Sequence, residues 1–248
     1  MILPLLVTAL ALAQAPFAPA SGRVESISAG DAVVSFAWQE GDEEVAAQVR
    51  RVLPAAVRAA GRWGALPASL TLTVHPTHAD LERATGRSGN PWMRAWARSG
   101  TVDLQSPRTW TRGRATDEAL ARILSHELTH CVLFEATGRE WRARGVPYWF
   151  QEGMASFAAG EHHAVAHPDA VHHPGPFLRT DPRVAYGTAD RAFRELLRQF
   201  GEPRVRRLLA RLGEGQAFAV AFGDAMDASL AEFESELGRR LSAVAALD

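Results

Sequence analysis

The chain has 248 residues, enough for one large domain or two small ones and ample to bury a core. Hydrophobic residues make up 47% and charged residues 22%, which excludes a disordered or low-complexity chain. A formal net charge of -1 gives no general electrostatic case for nucleic acid, and the single cysteine, Cys131, excludes a disulfide framework or a cysteine-rich zinc finger.

The chain opens on an uncharged apolar run, Ile2 to Leu12, followed by the small-x-small triplet Ala11-Leu12-Ala13. That pattern predicts a signal peptide over residues 1–13, cleaved after Ala13, and a mature protein of residues 14–248 exported to the periplasm or secreted. The run is too short to cross a bilayer of about 30 Å, and no later segment approaches 18 consecutive apolar residues. No stable membrane span is therefore expected after signal cleavage.

Val33 to Trp38 alternates and is rich in Val, Phe and Trp, so it reads as a strand. Glu43 to Trp63 carries apolar residues at a helical period, interrupted by Pro54, which leaves either a kinked helix or two short ones. Leu70 to His75 reads as a second strand, Ala79 to Ala84 as a short helix ending at Gly86, and Gly100 to Leu104 as a third strand. The third is the candidate edge strand, to which an extended peptide could add. From Thr116 the character turns helical: Thr116 or Asp117 can cap a segment whose apolar stripe runs to Gly138. Pro147 then opens a helix from Tyr148 to Ala159, and further helices are expected over Tyr186 to Phe200, Pro203 to Leu212 and Leu230 to Ala245. With neither an internal repeat nor a clear linker, the economical reading is one α+β unit. Its sheet-containing part spans about 24–110 and its helical part about 116–248.

Inside the long helix stands Ser125-His126-Glu127-Leu128-Thr129-His130, an HExxH motif. Residues i and i+4 share one helical face, so two neutral imidazoles there can converge on one zinc ion at about 2.0–2.1 Å. Glu127 then points beside the metal, where it can take a proton from water. Three protein ligands and an open position make a catalytic zinc site, so a third ligand is required.

Residues Pro147 to Phe157 read PYWFQEGMASF, with Glu152 falling 22 positions after His130. An HExxH followed by Trp-x-x-Glu-Gly-x-Ala resembles the gluzincin metallopeptidases. The similarity is nearest to the small peptidase-MA-like domains of exported bacterial proteins, and more distant to the zinc aminopeptidases, whose substrate-amine motif this chain lacks. The tail from Ala185 to Gly215 resembles the tail of those domains in its order of Tyr, helix, Gly and second helix. The resemblance implies a zincin-like fold, in which a small mixed sheet lobe with an edge strand precedes a mostly helical lobe. It implies zinc held by His126, His130 and Glu152, with Glu127 as general base in the hydrolysis of a peptide or protein substrate. It further implies a tyrosine or histidine facing the metal as oxyanion donor, a role that falls on Tyr186. The competing reading is a non-catalytic, zinc-stabilised module of the same fold that binds peptides or envelope components.

Ser156, one turn beyond Glu152, could support a ligand, although many relatives place an acidic residue near there. Tyr148 reads as packing, and Gly153 as the point where this helix closes on the HExxH helix. His162, His163, His167, His172 and His173 crowd one loop. Such a tract can bind a second metal, but no carboxylate spacing completes a site, and a solvated loop bordering the cleft is the simpler expectation. His75 and His78 read as turn residues and Cys131 as a buried small hydrophobe.

Overall fold

The computed structural model describes residues 22–110, 115–138 and 143–245, so the expected signal peptide lies outside the described residues. Five strands form one sheet in the order β1-β2-β3-β5-β4: β1 (Arg23–Ala29), β2 (Ala32–Trp38), β3 (Ser69–His75), β4 (Ala95–Arg98) and β5 (Thr101–Gln105). β2, β3 and β5 run parallel, while β1 and β4 pair antiparallel at the two margins. A parallel pair needs a crossover, and helix α1 (Glu43–Gly61) supplies it between β2 and β3. α1 is a single helix with Pro54 inside it, which settles the alternative left open by the sequence.

The segment expected at the sheet edge is interior. Thr101–Gln105 bonds to β3 on one side and to β4 on the other, and the edge falls instead to Ala95–Arg98. The tight Ser99-Gly100 turn reverses the chain and lays the shorter strand outside. The short helix α2 (His78–Thr85) ends at Gly86, as the sequence suggests. His75 is not a turn residue: it closes β3 and is buried, with Nε2 2.8 Å from Oδ1 of Asp103 on β5.

The remaining elements are helical: α3 (Asp117–Thr137), α4 (Tyr148–Ala158), α5 (Pro174–Thr180), α6 (Pro182–Gly213), α7 (Phe218–Met226) and α8 (Leu230–Ala245). Thr116 caps α3, its hydroxyl oxygen accepting from Ala119 N at 3.1 Å. Leu120, Leu124 and Leu128 of α3 share one buried cluster with Phe36, Leu72 and Leu104 of the sheet. Burying that continuous apolar surface is the main force holding α3 to the strands. Cys131 belongs to the same cluster and is fully buried, and burial pushes its thiol up to about 12.

α6 is 32 residues long but breaks at Gly201, whose φ of 74° and ψ of 162° no helix accommodates. The two helices expected there are its two halves, the first starting earlier than expected, at Pro182. Asp181 caps that start by accepting from Arg183 N. Gly153 closes α4 on α6 rather than on α3. A Cβ at this position would lie 2.2 Å from the Ala189 carbonyl oxygen, so only glycine allows the approach. Among the described residues no helix is long and apolar enough to cross a membrane. The architecture is mixed α+β, a five-stranded sheet followed by a mostly helical C-terminal part.

Candidate metal centre

Helical spacing brings His126 and His130 onto one face of α3, their ring centroids 5.0 Å apart. α4, seated beside α3, presents Glu152 to both: Oε2 lies 3.2 Å from Nε2 of His126 and 3.5 Å from Nε2 of His130. The three ligand atoms all lie within 4.8 Å of one another, and among the described residues this is the one group of three or more His, Cys, Asp or Glu so arranged. Tetrahedral donors bonded to one zinc at about 2.1 Å stand about 3.4 Å apart, so this donor set fits such an ion in both chemistry and spacing. The His-rich loop supplies no second such group.

The electrostatics show an anionic nest around two imidazoles. His126 is buried, which disfavours its charged form, yet Glu161 and Glu152 together raise its proton affinity well above that of an ordinary imidazole. Burial alone would raise Glu152, but the His130 and His126 imidazoles hold its carboxyl down to about 2. Glu127 is no member of the ligand group. Burial raises its carboxyl above the ordinary value, and the two imidazoles partly offset this.

Glu161 is the residue the sequence did not reveal. It follows the end of α4 with no helical spacing to announce it, yet its Oε2 lies 3.3 Å from Nδ1 of His126 and 3.2 Å from Nε2 of His163. Its carboxyl is held well below the carboxylate range by His126, against a burial that works the other way. The segment is pinned: Arg194 Nη2 donates to the Glu161 carbonyl at 2.7 Å, and Glu161 N donates to Ser156 O at 2.9 Å. Ser156 is itself buried beside this carboxylate. An acidic side chain thus stands beside Ser156, delivered from the loop that follows α4.

Tyr186, near the start of α6, stands among these groups. Its ring centroid is 6.3 Å from that of His126 and 6.2 Å from that of His163, whose ring lies nearly parallel to it. Burial, reinforced by the carboxylates of Glu152 and Glu127, keeps its hydroxyl protonated far beyond its ordinary value, so a proton is there to donate at any working pH. Tyr148 packs beside these groups. Its ring lies 6.3 Å from that of Tyr186, and Glu152 contributes to raising its hydroxyl, after burial.

No protein-family model matches the chain, and no curated protein does. Among solved structures it is similar to an M1 zinc metallopeptidase from Deinococcus radiodurans, with a TM-score of 0.50 and 15% identity over 88% of this chain and 50% of that one. It is also similar to Legionella pneumophila aminopeptidase A in complex with aspartic acid, with a TM-score of 0.53 and 10% identity over 87% of this chain and 27% of that one. The chain spans half or less of the length of these proteins, and what it shares with them is the fold.

Proposed function

We propose that this chain is an exported zinc-dependent peptidase of gluzincin type, with a zincin-like arrangement in which sheet and helical parts flank the metal. The observation that carries the reading is the convergence of His126, His130 and Glu152, with the Glu127 carboxyl left outside the ligand set. The similarity in fold to an M1 zinc metallopeptidase and to an aminopeptidase supports it. Export rests on the apolar run and small-x-small triplet over residues 1–13.

His126, His130 and Glu152 would hold the ion through Nε2, Nε2 and a carboxylate oxygen. A bound zinc lowers the pKa of water to about 7 and polarises the scissile carbonyl. Glu127 accepts a proton from the attacking water at its carboxylate and passes it to the leaving amine. A carboxyl raised by burial suits both halves of that task, since a poised base must also be a competent acid. Tyr186 donates from its hydroxyl to the oxyanion that develops on the substrate carbonyl. Glu161 orients the His126 ring through Nδ1 so that Nε2 faces the ion.

A module that merely binds metal has no use for a carboxylate at position 127. Glu127→Gln separates the two readings: the variant should keep one zinc per chain while losing hydrolysis of casein by about a thousandfold. Casein turnover equal in variant and parent would remove the catalytic assignment.

A further inference from the structure

We propose that Trp92 is a specificity-determining residue, its indole forming one wall of a subsite for a large apolar side chain of the peptide substrate. The inference rests on the peptidase reading and deepens it by naming what the substrate carries.

Trp92 is 40% exposed, while its neighbour Met93 is 4% exposed. Tryptophan is highly buried on average, so an indole left in solvent on a well-held segment calls for an explanation. The segment is held. Met93 N donates to Asn90 O at 2.9 Å, Arg94 Nη1 donates to Pro91 O at 2.7 Å, and Gln105 N donates to Arg94 O at 2.8 Å. Trp92 is thus presented by a braced turn at the entrance to β4.

Its aromatic neighbour leads to the metal centre. The indole meets Tyr186 edge-on, with centroids 6.0 Å apart and planes at 76°, and the Tyr186 ring is in turn 6.3 Å from His126. The indole therefore stands within about 12 Å of a metal-ligand imidazole, and an extended peptide covers that distance in about four residues.

The strand that follows keeps to the same path. β4 begins three residues after Trp92, and at its far end the Arg98 carbonyl accepts from Cys131 Sγ at 3.7 Å, next in sequence to His130. A chain passing along this margin, with Trp92 at one end, passes the turn of α3 that carries His130. The nearest cation in sequence, Arg94, is committed to the carbonyls of Pro91 and Met93, so selection at this wall is by apolar contact rather than by charge.

The test uses zinc-loaded full-length protein and matched fluorogenic peptides that differ at one position at a time, carrying Phe, Leu, Ser or Asp on either side of the scissile bond. At one position the parent should prefer Phe or Leu to Ser by at least about tenfold in kcat/KM, the scale of apolar side-chain discrimination. In Trp92→Ala that ratio should collapse towards one, chiefly through KM, whereas Trp92→Phe should keep most of it. A second arm needs no turnover: fluorescein-labelled versions of the peptides are titrated by anisotropy against Glu127→Gln, with and without Trp92→Ala. The same Trp92-dependent preference is expected in Kd. An unchanged kcat/KM ratio in Trp92→Ala, or equal Kd for the Phe and Ser peptides, overturns the subsite. If the parent cleaves no peptide while Kd still shows the Trp92-dependent preference, the subsite stands and the peptidase reading falls.

Discussion

The Oε2 oxygen of Glu161 lies 3.3 Å from Nδ1 of His126 and 3.2 Å from Nε2 of His163, so a single carboxylate oxygen serves two imidazoles. One of those rings belongs to the candidate ligand set; the other lies nearly parallel to Tyr186. The orientation of a candidate metal ligand and the placement of the candidate oxyanion donor thus share one support.

Replacing Glu161 by Gln keeps the shape of that support and removes its charge. The loss should weaken zinc binding by about 10–100-fold, the usual effect of removing an outer carboxylate from a ligating histidine. Competition with a chelator of known affinity measures it directly. An affinity equal to that of the parent would reduce Glu161 to a packing residue.

Tyr186→Phe removes one hydroxyl and keeps the ring that packs against Trp92, His126 and His163. A fall in kcat of about 10²–10³, with zinc content intact, is the expected result of losing one oxyanion donor. Steady-state kinetics on a single peptide decides it: a kcat within a factor of two of the parent would make Tyr186 a structural ring.

The site should also respond to pH in opposite senses with and without metal. A protonated imidazole has no lone pair for a cation, and His126 in the metal-free protein holds its proton well above 6.5. Zinc affinity should therefore climb with pH by about tenfold per unit for each proton released. In the metal-free protein the raised imidazole contributes stability that is complete below 6.5 and lost as pH rises through its folded value. Glu152, held down to about 2, contributes stability lost only as pH falls from about 4.5 towards that value, so it leaves the neutral range untouched. The gap in melting temperature between zinc-loaded and EDTA-treated protein should widen from about pH 6 to about pH 9. A gap that stays constant over that range would show that no proton is displaced from His126.

Gly153→Ala places a methyl group 2.2 Å from the Ala189 carbonyl oxygen and 2.7 Å from Phe193 Cβ. Forcing α4 off α6 should cost about 3 kcal/mol, a drop of roughly 6–12 °C in melting temperature for a domain of this size. Because Gly153 adjoins Glu152, zinc affinity should fall with it. Calorimetry with and without zinc reports both effects, and a melting temperature within 2 °C of the parent would contradict the packing described.

How much of this could be read from the sequence follows from where its signals are local. The i, i+4 pair on α3 and the Glu152 segment are short-range patterns with a stated chemistry, and they lie together in space as their spacing requires. Thr116 and Gly86 mark helix ends by rules that act within one turn. β1 is hard to read because burial alternates along it but polarity does not: Val24 lies on the exposed face, while Glu25 shares the inward face with Ile27 and Ala29. β4, four residues long, is defined by its pairing with β5 rather than by composition. The buried residues of α7 (Phe218, Ala221, Phe222, Ala225 and Met226) keep a helical period, but the exposed Ala219 and Val220 make the opposite side apolar as well, which blurs the contrast that would reveal it. Glu161 and Trp92 reach the site through loops, and loop residues carry no spacing rule. Gly153 was read as a contact glycine, but which helix it contacts depends on tertiary packing.

The break at Gly201 bears on the size of the molecule. Unbroken, 32 residues of helix would extend about 48 Å, longer than a globular unit of this mass is wide. The left-handed glycine turns the second half aside, and Val205, Leu208 and Leu212 then floor the same apolar interior that α3 and α4 roof. A residue without a side chain thus folds the helical part back over the candidate metal site.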